Sequence, residues 1–91
     1  MTKQELINRL QTIVDNSTTY DYCEFEIKTS DWEKYGKSRT YFKIVEKSTN
    51  LAISKHYKEK SYGYYDNIAN EYVPDKYGDA NNNYTFGGSK F

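Results

Sequence analysis

The sequence predicts an α+β domain in which one N-terminal amphipathic helix packs on an antiparallel sheet of four or five strands. Three observations predict it. Thr2-Lys3-Gln4-Glu5 has the form of a capping box, in which the threonine hydroxyl and the glutamate carboxylate satisfy exposed backbone N–H groups reciprocally. Behind it, Leu6, Leu10, Ile13 and Val14 recur at helical spacing, and Ile7 broadens the stripe. Beyond residue 20 the apolar period shortens to two, and the rest of the chain reads as strand.

The helix is expected over about residues 2–15, ending near Asp15 or Asn16. Residues 20–28 form the first expected strand, with Cys23, Phe25 and Ile27 on one face and Tyr22, Glu24, Glu26 and Lys28 on the other. Polar residues and Gly36 make Thr29 to Ser38 a loop or wide connection. A second strand covers 39–47, with Phe42 and Ile44 opposite Arg39, Tyr41, Lys43 and Lys47. Ser48-Thr49-Asn50 is a turn leading to a third strand over 51–58. Two short strands, 62–66 and 71–73, flank the polar turn Asn67 to Asn70. Pro74 has no N–H to donate and ends the last of them. A final short strand over 83–86 is an open alternative to an irregular tail.

The chain of 91 residues is the size of one domain, 1–91, with room for one thin core. Hydrophobic residues make up 36% but aromatics 18%, so large amphipathic rings must fill part of the core and also lie at the surface. Disordered chains are poor in aromatics and high in net charge; this one has eleven tyrosines and a formal net charge of zero, and reads as folded. Its apolar runs are too short for a transmembrane helix or a signal-peptide core. The single Cys23 cannot form an internal disulfide and suits a reduced, buried thiol, which points to the cytoplasm.

One histidine and one cysteine leave little material for catalysis or for zinc, which needs three or four nitrogen or sulfur ligands. Cys23 and His56 fall on opposite expected faces, and Glu24 and Glu26 are better suited to ion pairs with Lys43 and similar residues than to acid–base work. The sequence therefore implies no enzyme, no cofactor and no metal. The charge distribution says more than its sum. Residues 34–60 hold eight cations against two carboxylates, a local balance of +6, between two acidic flanks.

Those cations interleave with aromatic rings. Lys34, Lys37, Arg39, Tyr41, Lys43, Lys47, His56, Lys58 and Tyr64 are the candidate partner-binding residues. Arg39, Tyr41, Lys43 and Lys47, extended by His56 and Lys58, fall on the sheet face away from the helix; Lys34 and Lys37 lie in the connection before them, and either Tyr64 or Tyr65 points away from its neighbour. Such a face can anchor a protein partner through tyrosine and arginine. It can also meet phosphates and stack bases, or it can simply keep an open sheet soluble. Trp32 is either a lid over one end of the helix and sheet or an exposed anchor.

The segments Trp32 to Lys43, Glu71 to Gly78 and Asn83 to Gly87, in a chain with eleven lysines and two arginines, resemble small proteins carried by phages and mobile elements of low-GC Gram-positive bacteria. Among these are inhibitors of host defence, including anti-CRISPR proteins. The resemblance is one of style over most of the chain and transfers no residue roles. It implies a non-enzymatic inhibitor acting by direct contact with a host protein in the cytoplasm. Many such inhibitors are strongly acidic mimics of DNA, and this neutral chain with a basic centre departs from them. Direct nucleic-acid binding is the alternative.

Overall fold

The computed structural model describes residues 1–17, 23–48 and 57–82, except the side chains of Cys23, Ser48 and Tyr57. Within them the order is α1 (Lys3–Asn16), β1 (Cys23–Lys34), β2 (Lys37–Ser48), β3 (Tyr57–Asp66) and β4 (Glu71–Val73). The strands form one antiparallel sheet in the order β1-β2-β3-β4, with the helix on one face. This is the α+β arrangement expected.

Helix α1 starts as its sequence dictates. Thr2 is the N-cap; the Glu5 amide donates to Thr2 Oγ1 at 3.1 Å, and the Thr2 amide donates to Glu5 Oε1 at 2.8 Å. These bonds hold the Glu5 carboxyl below its ordinary pKa, the Thr2 backbone N–H being the largest cause. Leu6, Leu10 and Ile13 are buried against Phe42, Ile44, Tyr62, Tyr65 and Ala80, with Ile7, Val14, Phe25, Ile27 and Tyr72 packed around them.

The expected loop Thr29 to Ser38 is instead the distal half of a hairpin. β1 and β2 pair without interruption from Cys23↔Ser48 to Lys34↔Lys37, leaving Tyr35 and Gly36 as the turn. Both turn residues have positive φ, 53° and 75°, as the primed two-residue turns that match strand twist require. The strand persists here without an apolar alternation because its helix-side positions meet a polar network rather than the core. Thr40 Oγ1 donates to Asp31 Oδ1 at 2.9 Å, and Asn67 Nδ2 approaches Thr40 Oγ1 at 3.2 Å and Ser38 Oγ at 3.1 Å.

The expected strands 51–58 and 62–66 also need correction at their junction, because β3 runs continuously from Tyr57 to Asp66. Positions 20–22, 51–56 and 83–86, and the thiol of Cys23, lie outside the described residues. The turn over 67–70 is present: Asp66 Oδ1 accepts from the amides of Ile68 and Ala69, and β4 ends at Val73, before Pro74. These two amides, Ala69 first, hold the Asp66 carboxyl below its ordinary pKa.

One irregularity sets the faces of β3. Tyr41 pairs with Tyr64 and Lys43 with Ser61, so Phe42 alone stands opposite both Tyr62 and Gly63. Gly63, at φ 90°, is the extra residue of this bulge. A Cβ there would collide with the Val73 carbonyl oxygen and come within 2.8 Å of the Asp75 nitrogen, where the chain turns back across the sheet. Gly63→Ala is expected to destabilise by roughly 3 kcal/mol, combining backbone strain with this collision. Urea denaturation would measure it, and a loss below about 1 kcal/mol would show that the bulge relaxes easily.

Tyr62 and Tyr72 close the core in different ways. The Tyr72 hydroxyl donates to the Tyr62 carbonyl and accepts from the Ala80 amide at 3.1 Å, pinning the segment after β4 onto the sheet. The Tyr62 hydroxyl is buried with no hydrogen-bond partner among the described residues, and burial pushes its pKa up to about 12. The raised value means that the stabilisation of the neutral phenol is fully present below pH 10 and is lost as pH rises towards 12. Tyr62→Phe is expected to be at least as stable as the parent, by up to ~1 kcal/mol, since it removes an unsatisfied buried group. Its stability should also fall less steeply across that alkaline window, which denaturant titrations at stepped pH would detect.

A candidate partner-binding face

The strand register assigns the face away from the helix. On β1 it carries Glu24, Glu26, Lys28, Ser30, Trp32 and Lys34; on β2 Lys37, Arg39, Tyr41, Lys43, Val45 and Lys47; on β3 Glu59, Ser61, Tyr64 and Asp66, the last directly opposite Arg39. Arg39, Tyr41, Lys43 and Lys47 thus share the surface expected of them; of the two tyrosines left open, Tyr64 joins them there while Tyr65 turns to the helix side, and Lys34 and Lys37 flank the hairpin turn at its end. Lys58 does not. It pairs with Glu46, and the two belong to the face that carries Ile44 and Tyr62. Lys58, Lys60 and Tyr62 alternate in phase, so the continuous strand sends Lys58 to the helix side. His56 lies outside the described residues.

The centre of the outer face is a stacked cluster around Arg39. Its guanidinium carbon lies 4.4 Å from the centroid of the Tyr64 ring and 5.4 Å from that of Trp32. Arg39 Nη1 donates to the Tyr41 hydroxyl at 3.2 Å, and the Tyr41 and Tyr64 rings meet at 5.2 Å with a 49° tilt. The hydrogen bond to Tyr41 is the largest cause raising the Arg39 pKa further above its usual value, so the cation is permanent. The rings and the hydrogen bond hold the guanidinium in a defined place while Tyr41 remains 36% exposed. Trp32 is therefore part of this cluster, on the face opposite the helix, and the lid reading is corrected. Extending the β1 alternation Glu24, Glu26, Lys28 through Ser30 to Trp32 would have found it.

Electrostatics divide this face in two. At the end remote from the hairpin, Lys47 Nζ lies 3.1 Å from Glu26 Oε1 and 3.9 Å from Glu24 Oε1, and Lys43 Nζ lies 3.0 Å from Glu59 Oε2. The glutamates thus form cross-strand ion pairs of the kind expected, with Lys47 as the partner. The hydrogen bond from Lys47, first, and its charge hold the Glu26 carboxyl below its ordinary pKa. Between these pairs Val45 is fully buried, in register between Glu26 and Glu59. At the hairpin end stand Lys34, Lys37, Arg39 and the rings, with Tyr35 85% exposed at the tip. A groove of about 380 Å³ separates the halves, lined by Lys28, Thr29, Ser30, Tyr41, Phe42, Lys43 and Ser61.

A second hollow of about 340 Å³ is bordered by Lys3, Asp31, Trp32, Glu33, Ser38, Thr40 and Asn67, so Trp32 also reaches the edge near the start of the helix. The hydrogen bonds among Asp31, Ser38, Thr40 and Asn67 tie the turn after β3 to the β1–β2 hairpin. Among the described residues, no group of three or more histidine, cysteine, aspartate or glutamate side chains is arranged to hold a metal ion. None of the described helices is long and apolar enough to cross a membrane.

The chain's single tryptophan makes the cluster measurable. Arg39→Ala uncovers the indole, so the Trp32 emission maximum should move to longer wavelength with the far-UV circular dichroism unchanged. An unmoved maximum would mean that Arg39 does not cover the ring in solution. Comparison of the chain with protein-family models, curated proteins and solved structures finds no match.

Proposed function

We propose that the protein is a non-enzymatic binding protein that engages a protein partner through the Arg39, Trp32, Tyr41 and Tyr64 cluster. One observation favours protein over nucleic acid: the cation track suggested by the sequence is interrupted where Lys43 and Lys47 face Glu59, Glu26 and Glu24. A phosphate backbone follows a continuous run of uncompensated cations. What remains beyond that interruption is a compact set of arginine, tryptophan and tyrosine side chains, the types that anchor protein interfaces. Two of these rings are partly occupied by Arg39 itself, which leaves less open ring surface for bases.

Together with the resemblance to phage and mobile-element proteins, this supports a stoichiometric inhibitor or modulator of a bacterial nucleic-acid-handling or defence machine. The proposed setting is the cytoplasm of the bacterial host. Nucleic-acid binding remains the second reading, favoured by Lys28, Lys34, Lys37 and Arg39 at the hairpin half.

Affinity capture from lysate of a low-GC Gram-positive bacterium, with and without nuclease, separates the two. A protein partner retained after nuclease, and lost with Arg39→Ala or Tyr41→Ala at a melting temperature close to that of the parent, is the expected result. Capture that disappears with nuclease, or that neither substitution weakens, would overturn the protein-contact reading.

A further inference from the structure

The two halves of the outer face handle the same structural position differently. β1 supplies glutamates near Lys47, Glu24 directly opposite it and Glu26 one pair along. At Lys43, the next outward lysine along β2 after Lys47, the directly opposed β1 residue is Lys28. Like charges directly opposite each other weaken a strand pair, and a glutamate at position 28 would repeat the arrangement already used at Lys47. Among the described residues Lys28 makes no salt bridge, and Lys43 is held from the other side by Glu59. The opposed lysines stand where the groove opens. Ser30, Ser61 and Tyr41 also line it, each with a hydroxyl able to donate to an anion.

We propose that this groove receives an acidic segment of the protein partner, one of whose carboxylates sits between Lys28 and Lys43. The proposal rests on the protein-contact reading above and names the chemistry of the partner. A carboxylate there pairs with the Lys28 ammonium and shares the Lys43 ammonium with Glu59, gaining a charge-assisted hydrogen bond from each. The adjoining Arg39 cluster supplies the aromatic anchors around it. The like-charged pair, a cost to the isolated domain, becomes a binding determinant in the complex, as expected where stability is exchanged for function.

The test uses the full chain, labelled with nitrogen-15 and titrated with an acetylated, amidated decapeptide alternating glutamate and glycine, and in parallel with a thymidine decanucleotide. The peptide is expected to cause saturable amide shifts at Lys28, Ser30, Tyr41, Lys43 and Ser61. Lys28→Glu should weaken its binding by at least about tenfold while raising the melting temperature by roughly 2–5 °C. Lys28→Gln, which removes the charge without adding one, should weaken binding to a smaller degree. Absence of saturable shifts, undiminished binding by both variants, or tighter binding of the oligonucleotide at the same amides would each overturn the proposal. Capture of the partner separates the two ideas. Loss with Arg39→Ala but retention with Lys28→Glu would leave the protein-contact reading intact and remove the acidic segment, whereas indifference to both would remove both.

Discussion

The bulge at Gly63 is the constraint on which both faces of the sheet depend. In a regular strand Tyr62 and Tyr64 would share a face. With one extra residue opposite Phe42, Tyr62 and Tyr65 enter the core beneath the helix while Tyr64 points outward to Arg39 and Tyr41. The same glycine leaves space for the backbone of Val73 to Asp75 to pass close by. From there the Tyr72 hydroxyl ties Tyr62 to Ala80, so the core, the outer cluster and the closing segment meet at one position without a side chain.

Among the described residues the one helix covers a single face of this sheet, and the other carries rings and long cationic stems. Rings and long cationic stems suit that position because each offers apolar area with a polar tip. This accounts for an aromatic content of 18% in a chain whose hydrophobic content is only 36%. Edges are managed as well. Asp31 and Glu33 place carboxylates on the helix-side face of β1 near its outer edge, and β4 stops before Pro74 at the opposite one, both of which discourage strand addition.

The helix was legible to the residue level because a capping box and an apolar stripe are local signals, and the core of Leu6, Leu10, Ile13, Phe42 and Ile44 follows from periodicity alone. The β1–β2 hairpin beyond residue 28 was not, since Thr29, Asp31 and Glu33 replace apolar residues on the helix-facing side and erase the alternation. Its strand character comes from backbone pairing and from a turn that holds Tyr35, a non-glycine residue, at positive φ. For the outer face, the β2 residues were placed by alternation within one strand. Lys58 was misplaced because its strand was thought to end there, and Trp32 was missed because its strand was thought already to have ended. Both errors concern strand length, which is decided by pairing across the sheet and not by the residues of one segment. The bulge, which sends Tyr64 outward, had only Gly63 to announce it.

The division of the outer face bears on whether it is more than a soluble surface. Solubility alone asks for mixed charge spread evenly, with cations and carboxylates interspersed. Here the carboxylates of Glu24, Glu26 and Glu59 gather around Lys43 and Lys47, beside a Val45 with no exposed surface, while the hairpin half keeps its cations beside exposed rings and Asp66. Surface ion pairs contribute little to stability individually, so the gathering is poorly explained as a means of holding the sheet together. Its effect is to leave Lys28, Lys34, Lys37 and Arg39 at the groove rim and hairpin end, where Asp66 is the outer-face carboxylate opposite Arg39.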